Sequence, residues 1–245
     1  ACASTRSGRP CGGLLRRPMM TRHAPGSLRI ALFNPNTNVQ ATHWMLESAR
    51  AALPPHVHIE GRTATRGVSL ITNEQAQQIA AEVVLASGPA LEQEGFDAIV
   101  VAGFGDPGLA ALRGRVHIPV VGLAESGILE AGAQGRPYSI VTITPDLHAG
   151  LRRSAMACGQ HHNLVSVRFT AGDPVVLARD ARTLQDALLH TSQRAVEEDG
   201  AQAIVIGGGP LVRAANAIAP LLDVPLVEPV AAAVRRARAL CAVPG

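Results

Sequence analysis

The chain alternates short apolar runs with longer stretches of helical periodicity. Two of the apolar runs end in glycine-rich turns: Ala98–Val101 leads into Ala102-Gly103-Phe104-Gly105, and Ala203–Ile206 leads into Gly207-Gly208-Gly209-Pro210. A continuous apolar run that stops at glycines is typical of a buried parallel strand followed by a tight loop. Strands that alternate with helices in this way predict an α/β fold.

The same order of elements occurs twice along the chain. In each half the first strand leads into a polar turn, at Asn34-Pro35-Asn36-Thr37 and at Thr144-Pro145-Asp146, and a proline opens the last strand, at Pro119 and at Pro225. The sequence therefore predicts two pseudo-symmetric Rossmann-like halves, each with a parallel sheet flanked by helices. We expect the site in the cleft between the halves, because ligands bind where the ends of such strands face each other.

Helical periodicity and end signals place the longer elements. Thr72 and Gln75 are spaced like a capping box at the start of a long helix. Asp106-Pro107 is typical of a helix start, with aspartate as the N-cap and proline at the first helical position. Helices are predicted over Thr72–Glu94, from about Ser126, and over 146–158, 181–199 and Val230–Leu240, with strands at Val57–Glu60 and Leu164–Phe169.

We divide the chain into residues 1–27, a first half at 28–136 and a second half at 137–245, with the C-terminal helix as a candidate to cross over between the halves. The first segment is rich in Arg, Ser, Gly and Pro and lacks apolar periodicity. It resembles an organelle transit peptide in composition. It is also consistent with disorder, or with sequence upstream of the true start, since Met19-Met20 lies just before the first strand.

Composition excludes several classes of function. Hydrophobic residues make up 47% of the chain and aromatic residues 2%, which predicts an aliphatic core. No apolar stretch approaches the roughly 20 residues that span a bilayer, so we expect a soluble protein without a membrane partner. Residues 1–27 carry five arginines and no acid, which leaves 17 arginines against 19 acids elsewhere. The net charge of +3 therefore gives no reason to expect a nucleic-acid partner.

The absence of lysine and the spacing of the cysteines exclude further kinds of site. All 22 basic residues are arginine, which excludes a Schiff-base lysine and the lysine of a phosphate-binding loop. The cysteines form no CxxC pair and have no metal-ligand spacing, so neither a metal site nor a disulfide framework is predicted, and a reducing cytoplasm is expected: Cys2, Cys11, Cys158 and Cys241.

The first glycine turn has two interpretations. Gly103-Phe104-Gly105-Asp106-Pro107-Gly108 satisfies the dinucleotide fingerprint G-x-G-x-x-G, and Glu125 lies 20 residues past Gly105. However, Asp106 places negative charge where a pyrophosphate would lie, and Pro107 removes an amide that would bind it. The alternative uses both glycine turns together. Glycine allows close approach of the backbone to a ligand, so two matched turns predict one shared site, although the glycines would also allow tight packing alone.

Five short motifs in order resemble the aspartate/glutamate/hydantoin racemase superfamily, with the hydantoin and allantoin racemase branch as the nearest. The resemblance covers about residues 28–243. The matching segments are Asn34-Pro35-Asn36-Thr37, Phe104-Gly105-Asp106-Pro107-Gly108-Leu109, Ser139-Ile140-Val141-Thr142, Ile206-Gly207-Gly208-Gly209 and Val224-Pro225-Leu226-Val227.

The resemblance implies cofactor-free proton transfer by two cysteines, one from each half. The motif match puts those cysteines at Gly103 and Gly208, so both catalytic positions hold glycine here. Glycine exchanges no proton, which puts racemase activity in question. The candidate substitutes are Asp106, Glu125, Glu228 and His148, and Glu228 is the preferred stand-in base. The resemblance implies substrate contacts at Asn34, Thr37, Phe104, Gly105, Thr142, Gly207 and Gly209.

The sequence is consistent with three hypotheses about function. The first is an isomerase of this superfamily that carries out racemisation or related carbanion chemistry on a small carboxylate or cyclic ureide. The second is a binding protein that kept the cleft and lost the chemistry, and the third is an NAD(P)-binding oxidoreductase. For the first we expect a small-molecule substrate, no cofactor, and a homo-oligomer in the cytoplasm.

Overall fold

The computed structural model describes residues 28–242, so the predictions for residues 1–27 lie outside the described residues. Two parallel four-stranded sheets carry the fold, with the strand orders β2-β1-β3-β4 and β6-β5-β7-β8. The strands of the first sheet are β1 Leu28–Asn34, β2 Val57–Thr63, β3 Ala98–Val101 and β4 Val120–Gly122. Those of the second are β5 Tyr138–Thr142, β6 Leu164–Phe169, β7 Ile204–Ile206 and β8 Leu226–Val227.

Helices flank both sheets. They are α1 Val39–Ala51, α2 Glu74–Gln93, α3 Leu109–Arg113, α4 Leu123–Ala131, α5 His148–Ala157, α6 Pro174–Leu177, α7 Ala181–Asp199, α8 Val212–Ile218 and α9 Pro229–Ala242. Short 3-10 turns lie at Ala133–Gly135, Pro145–Leu147, Gly209–Leu211 and Ala219–Leu221.

The duplication predicted from the sequence is confirmed by the matching strand orders and by equivalent hydrogen bonds. The backbone N–H of Ala102, just after β3, donates to the carbonyl of Phe33 on β1 at 2.8 Å. The N–H of Gly207, just after β7, donates to the carbonyl of Val141 on β5, also at 2.8 Å. The continuous apolar runs β3 and β7 are buried along their whole length, as central parallel strands must be.

The observed helices begin and end close to the predicted positions, but two of the predicted N-caps are wrong. Asn73, and not the predicted Thr72, caps α2, because the Asn73 side chain accepts the N–H of Ala76 at 2.9 Å. The prediction that Asp106 caps the next helix is also wrong. Gly108, in the left-handed conformation, precedes α3, and no side chain caps that helix.

Three apolar clusters form the core. One lies within the first half, one lies within the second half, and the largest contains residues of both. Its shared layer includes α4 of the first half and α9 of the second, which pack against each other. At the surface of this layer Arg235 of α9 forms an ion pair with Glu130 of α4 at 2.8 Å. The last described helix therefore lies against the first half, and the two sheets are joined through a common core.

No helix within residues 28–242 is long and apolar enough to cross a membrane.

Candidate functional site

A cavity of about 790 Å³ lies where the strand ends of the two sheets meet. The segments that follow four strands contribute to its wall: Asn36 after β1, Gly103 after β3, Thr144 after β5 and Gly208 after β7. Both glycine turns therefore face one cavity, as the duplicated pattern led us to expect. Carboxyl ends of parallel strands are where α/β proteins bind their ligands.

The cavity has a buried floor and an exposed mouth. Gly103, Phe104 and Gly207 line the floor and are buried. Arg179, just before α7, and Arg213, on α8, line the mouth and are exposed. Polarity therefore changes along the cavity, from backbone and apolar groups at the bottom to two guanidinium groups at the opening.

The two halves approach so closely at the floor that side chains would not fit. A Cβ atom added at Gly207 would lie 2.7 Å from Cε1 of Phe104, which belongs to the other half. One added at Gly209 would overlap the sulfur of Met45 on α1. Glycine is required at these positions by packing across the cleft, and this packing leaves the backbone itself as the lining.

Gly103 is confined as well. An added Cβ would lie 2.9 Å from Cγ of Pro35 and 3.1 Å from Cγ of Pro107. Gly208 is tight on one side, with Cγ of Leu211 at 3.0 Å from an added Cβ. Side chains at these two positions would need small shifts of their neighbours.

Asn34 acts on the site through other residues. It is fully buried, and its Nδ2 donates to Oδ1 of Asn36 at 3.0 Å and to the hydroxyl of Thr42 at 2.9 Å. Asn36 in turn accepts the N–H of Asn38 at 2.9 Å, and both Asn36 and Asn38 line the cavity. Asn34 therefore stabilises the conformation of the polar turn without lining the cavity. The side chains that line the cavity are those of Asn36 and Asn38.

Thr37 and Thr142 do not line the cavity either. The N–H of Thr37 donates to the carbonyl of Val68 at 2.9 Å. The hydroxyl of Thr142 donates to the carbonyl of Gly207 at 2.5 Å, which ties β5 to the second glycine turn. Among the predicted substrate contacts, those that line the cavity are Phe104, Gly207 and Gly209.

Asp106 links the first glycine turn to a distant helix. Its carboxylate accepts the N–H groups of Ala124 at 2.8 Å and of Glu125 at 2.7 Å, at the start of α4. Asp106 has a positive φ of 53°, and a Cβ at Gly122 would overlap its carboxyl group. Burial raises the pKa of Asp106 to about 7, against the opposing effect of the two hydrogen bonds.

A smaller cavity of about 360 Å³ is lined by Gly105, Asp106, Glu125 and Cys158, among others. Glu125 forms an ion pair with Arg113 at 2.7 Å. Burial, together with the nearby carboxylates, raises the pKa of Cys158 to about 11, which keeps this thiol protonated at neutral pH. Gly105, a predicted substrate contact, therefore lines a cavity other than the one at the strand ends.

Glu228, chosen from the sequence as the stand-in base, lies outside both cavities. Its carboxylate accepts the N–H groups of Val230 at 2.7 Å and Ala231 at 2.9 Å, and the hydroxyl of Ser48 on α1 at 2.8 Å. Glu228 therefore caps α9 and links it to α1 by a hydrogen bond. His148 also lies outside the cavity lining, where its ring packs edge-on against Phe169 with centroids 5.8 Å apart.

Among residues 28–242, the groups that line the larger cavity include no carboxylate, imidazole or thiol. Its polar side chains are neutral amides and hydroxyls and the two arginines, with Trp44 of α1 beside them: Asn36, Asn38, Ser69, Thr144, Gln185, Arg179 and Arg213. The two arginines and Trp44 were not predicted from the sequence as site residues. Arg213 had a usable signal, since it lies four residues after Gly209 in the second glycine motif.

The larger cavity can therefore hold a ligand by neutral polar side chains, positive charge and turn N–H groups other than those of Gly207 and Gly208, which already donate to Val141 and Ile206. It offers a ligand hydrogen bonds and electrostatic attraction, but no side chain of ordinary acid/base type.

The amino-acid sequence is similar to that of proteins of one known family. Residues 30–237 match the family model described as Asp/Glu/Hydantoin racemase. The hydantoin racemase of Pseudomonas sp. (strain NS671) is 30% identical over 213 residues, which is 87% of this chain and 86% of the relative. That of Paenarthrobacter aurescens is 30% identical over 217 residues, covering 88% of this chain and 92% of the relative.

The solved structures agree with the sequence relatives. Allantoin racemase from Klebsiella pneumoniae superimposes with a TM-score of 0.83 at 34% identity, covering 88% of each chain. Allantoin racemase from Pseudomonas fluorescens gives a TM-score of 0.82 at 29% identity, covering 87% of this chain and 90% of that one. All four relatives are racemases by name, and racemases are isomerases.

Proposed function

Because the chain belongs to the Asp/Glu/hydantoin racemase family, we propose that the cavity at the strand ends binds a small cyclic ureide or carboxylate. The observation that carries this proposal is the meeting of both glycine turns at one buried floor. Backbone N–H groups in such turns can hold a carbonyl or carboxylate oxygen, and the narrow gap between the halves suits a planar group.

We further propose that Gly103 and Gly208 occupy the positions of the family's paired thiols, as the sequence motifs imply. Two-thiol racemisation requires a base on one face of the substrate carbon and an acid on the other. The described lining offers neither. The function that this geometry supports best is binding of a family-type ligand without proton transfer by side chains of the protein.

The second candidate is isomerisation or related carbanion chemistry, and the names of the relatives favour it. In that case water would accept the proton from the substrate carbon, and water would return one to either face. The electron pair left on carbon would delocalise onto the adjacent carbonyl oxygen. Turn amides directed at that oxygen would lower the barrier, because such donors stabilise charge that develops in the transition state.

One experiment tests binding and chemistry separately. Thermal stabilisation and calorimetry with hydantoin, allantoin and small 2-amino carboxylates report binding, and proton NMR in heavy water reports exchange at the substrate carbon. We expect saturable binding of at least one compound, with no exchange above the rate without protein. Exchange that depends on the protein would establish the second candidate, and absence of any binding would contradict both.

The oxidoreductase alternative receives little support from the site. The turn Gly103–Gly108 follows β3, whereas the dinucleotide fingerprint normally follows the first strand of its unit. Asp106 also directs its carboxylate to α4, where it already accepts two N–H groups. Saturable binding of NAD(P) in the same calorimeter would revive this alternative.

We also propose that the protein is a cytoplasmic homo-oligomer. The two described cysteines, Cys158 and Cys241, are free thiols, which suits a reducing compartment. Val176 on α6 is 63% exposed, and we propose it as an apolar contact with another copy. Light scattering after size-exclusion chromatography measures the assembly, and a monomer at micromolar concentration would contradict this part of the proposal.

A further inference from the structure

The charge of the cavity has one sign. Of the described residues that line it, the only charged ones are Arg179 and Arg213, both at the mouth. Neither of them forms an ion pair within residues 28–242. Residues 1–27 and 243–245 contain no Asp or Glu that could neutralise them. The mouth therefore carries two guanidinium groups that form no ion pair with an acidic side chain of residues 28–242.

Two other arginines are paired with neighbouring carboxylates. Arg168 lies between Glu198 at 2.7 Å and Asp199 at 2.5 Å. Arg113 beside the smaller cavity pairs with Glu125. The larger cavity differs from these places because its guanidinium groups have no carboxylate, so a ligand can supply one.

Contact with the first half places Arg213 at the mouth. Its guanidinium carbon lies 5.7 Å from the centroid of the Trp44 ring, a cation–π distance. Trp44 belongs to α1 of the first half and Arg213 to α8 of the second, so the contact spans the cleft. Both residues line the cavity. The stacking limits the positions that this long side chain can adopt and keeps its remaining N–H donors near the opening.

The cavity is larger than an unsubstituted ureide ring requires. At about 790 Å³ it lies in the range of sites that bury whole drug-sized ligands. A bare five-membered ureide ring at the glycine floor leaves much of this volume between floor and mouth. A substituent on the ring is needed to reach the arginines.

We propose that the ligand is an anion, with a planar ureide or carbonyl group at the glycine turns and a carboxylate-bearing substituent at Arg213 and Arg179. This inference rests on the proposed function and narrows its substrate class from ureides and carboxylates in general to anionic ones. Guanidinium groups bind carboxylates through paired, charge-assisted hydrogen bonds, which gives such a ligand both affinity and orientation.

A matched ligand pair tests the inference. Hydantoin-5-acetic acid is an anion at neutral pH, and hydantoin-5-acetamide has almost the same shape without the charge. We expect calorimetry at low salt to show at least about tenfold tighter binding of the acid, the effect of one charge-assisted hydrogen bond. The preference should shrink as salt is added, because both arginines are exposed to solvent.

Arginine variants locate the effect. Arg213→Gln and Arg179→Gln should each reduce the ratio of acid to amide affinity by about threefold or more, while the affinity for the amide changes little. Arg50→Gln is the control, since Arg50 is an exposed arginine of α1 outside the cavity lining. Far-ultraviolet circular dichroism and the melting temperature verify that each variant is folded, and the ratio within one variant cancels any loss common to both ligands.

The outcomes separate this inference from the proposed function. Equal affinity of the wild-type protein for acid and amide would overturn the inference and leave the proposed binding site intact. Failure of both ligands and of the wider panel to bind would overturn the proposed function itself. A preference that Arg50→Gln reduces as much as Arg213→Gln would also overturn the inference, because the effect would then come from the overall charge of the protein.

Discussion

The carboxylate of Asp106 accepts the backbone N–H of Glu125 at 2.7 Å, although the two residues are 19 positions apart. The neighbouring N–H of Ala124 donates to the same carboxylate. Asp106 therefore caps α4 from a turn that follows β3. This joins the first glycine turn, which forms part of the cavity floor, to a helix of the core shared by the two halves.

Replacement of Asp106 by Asn should destabilise the protein. The amide keeps one acceptor oxygen and places an NH₂ donor against one of the two backbone N–H groups, at a cost of about 1–3 kcal/mol. Urea unfolding at about pH 4, below the raised pKa of Asp106, measures the change. Asp146→Asn is the control for the loss of an acid, because Asp146 is an exposed acid in the turn after β5. Equal stability of Asp106→Asn and the control would contradict the capping role.

The same residue predicts a pH dependence. The pKa of Asp106 rises from 3.8 to about 7 on folding, so the folded state binds the proton more tightly than the unfolded state. This contribution to stability is fully present below about pH 4 and is lost as the pH rises towards 7. The difference in unfolding free energy between wild type and Asp106→Asn should therefore decrease from pH 4 to pH 7. A constant difference would contradict the raised pKa.

Thr142→Val should weaken the second glycine turn. The buried Thr142 hydroxyl donates to the Gly207 carbonyl, and loss of such a bond costs about 0.5–1.5 kcal/mol of unfolding free energy. Ligand affinity should fall too, through displacement of Gly207. The control is Thr170→Val, because the buried hydroxyl of Thr170 has no hydrogen-bond partner among the described residues. That variant should be neutral or slightly stabilising, and an equal loss in both would contradict this prediction.

Glu228→Gln distinguishes a helix cap from a catalytic base. The glutamine NH₂ would face at least one of the donors that now meet the carboxylate, so we expect a loss of about 1–3 kcal/mol in unfolding free energy. Ligand affinity should stay unchanged, because Glu228 does not line the cavity. Glu47→Gln, at an exposed position of α1, controls for the loss of charge. A folded Glu228→Gln protein of normal stability that loses proton exchange would instead identify Glu228 as a base.

Restoring thiols tests the proposed equivalence of the glycine positions. Gly103→Cys together with Gly208→Cys should create or raise exchange and racemisation on a hydantoin or amino-acid panel, and each single variant should do much less, because inversion needs a group on each face. The new side chains must displace Pro35 and Leu211 slightly, so unfolding free energy is measured beside activity. A folded double variant that binds ligand and shows no exchange in heavy water would contradict the equivalence.

The local pattern of the sequence was enough to predict the layers of this protein. Apolar runs that end in glycine identified β3 and β7, and helical periodicity placed α2 and α7 to within a few residues, with α7 matching at both ends. The repeated order of these signals predicted two pseudo-symmetric halves, and the two sheets have matching strand orders. These features are local because each depends on periodicity or turn chemistry within about twenty neighbouring residues.

Tertiary structure decided which side chains meet. The sequence suggested Asp106 as the cap of the nearest helix and Glu228 as a base, but both carboxylates cap helices through contacts that also involve distant parts of the chain. Arg213 and Trp44 belong to different halves and meet only because the shared core sets the width of the cleft. Hydrogen bonding and stacking act over a few ångströms in space. Contacts between residues that are far apart in the sequence therefore cannot be predicted from local sequence patterns.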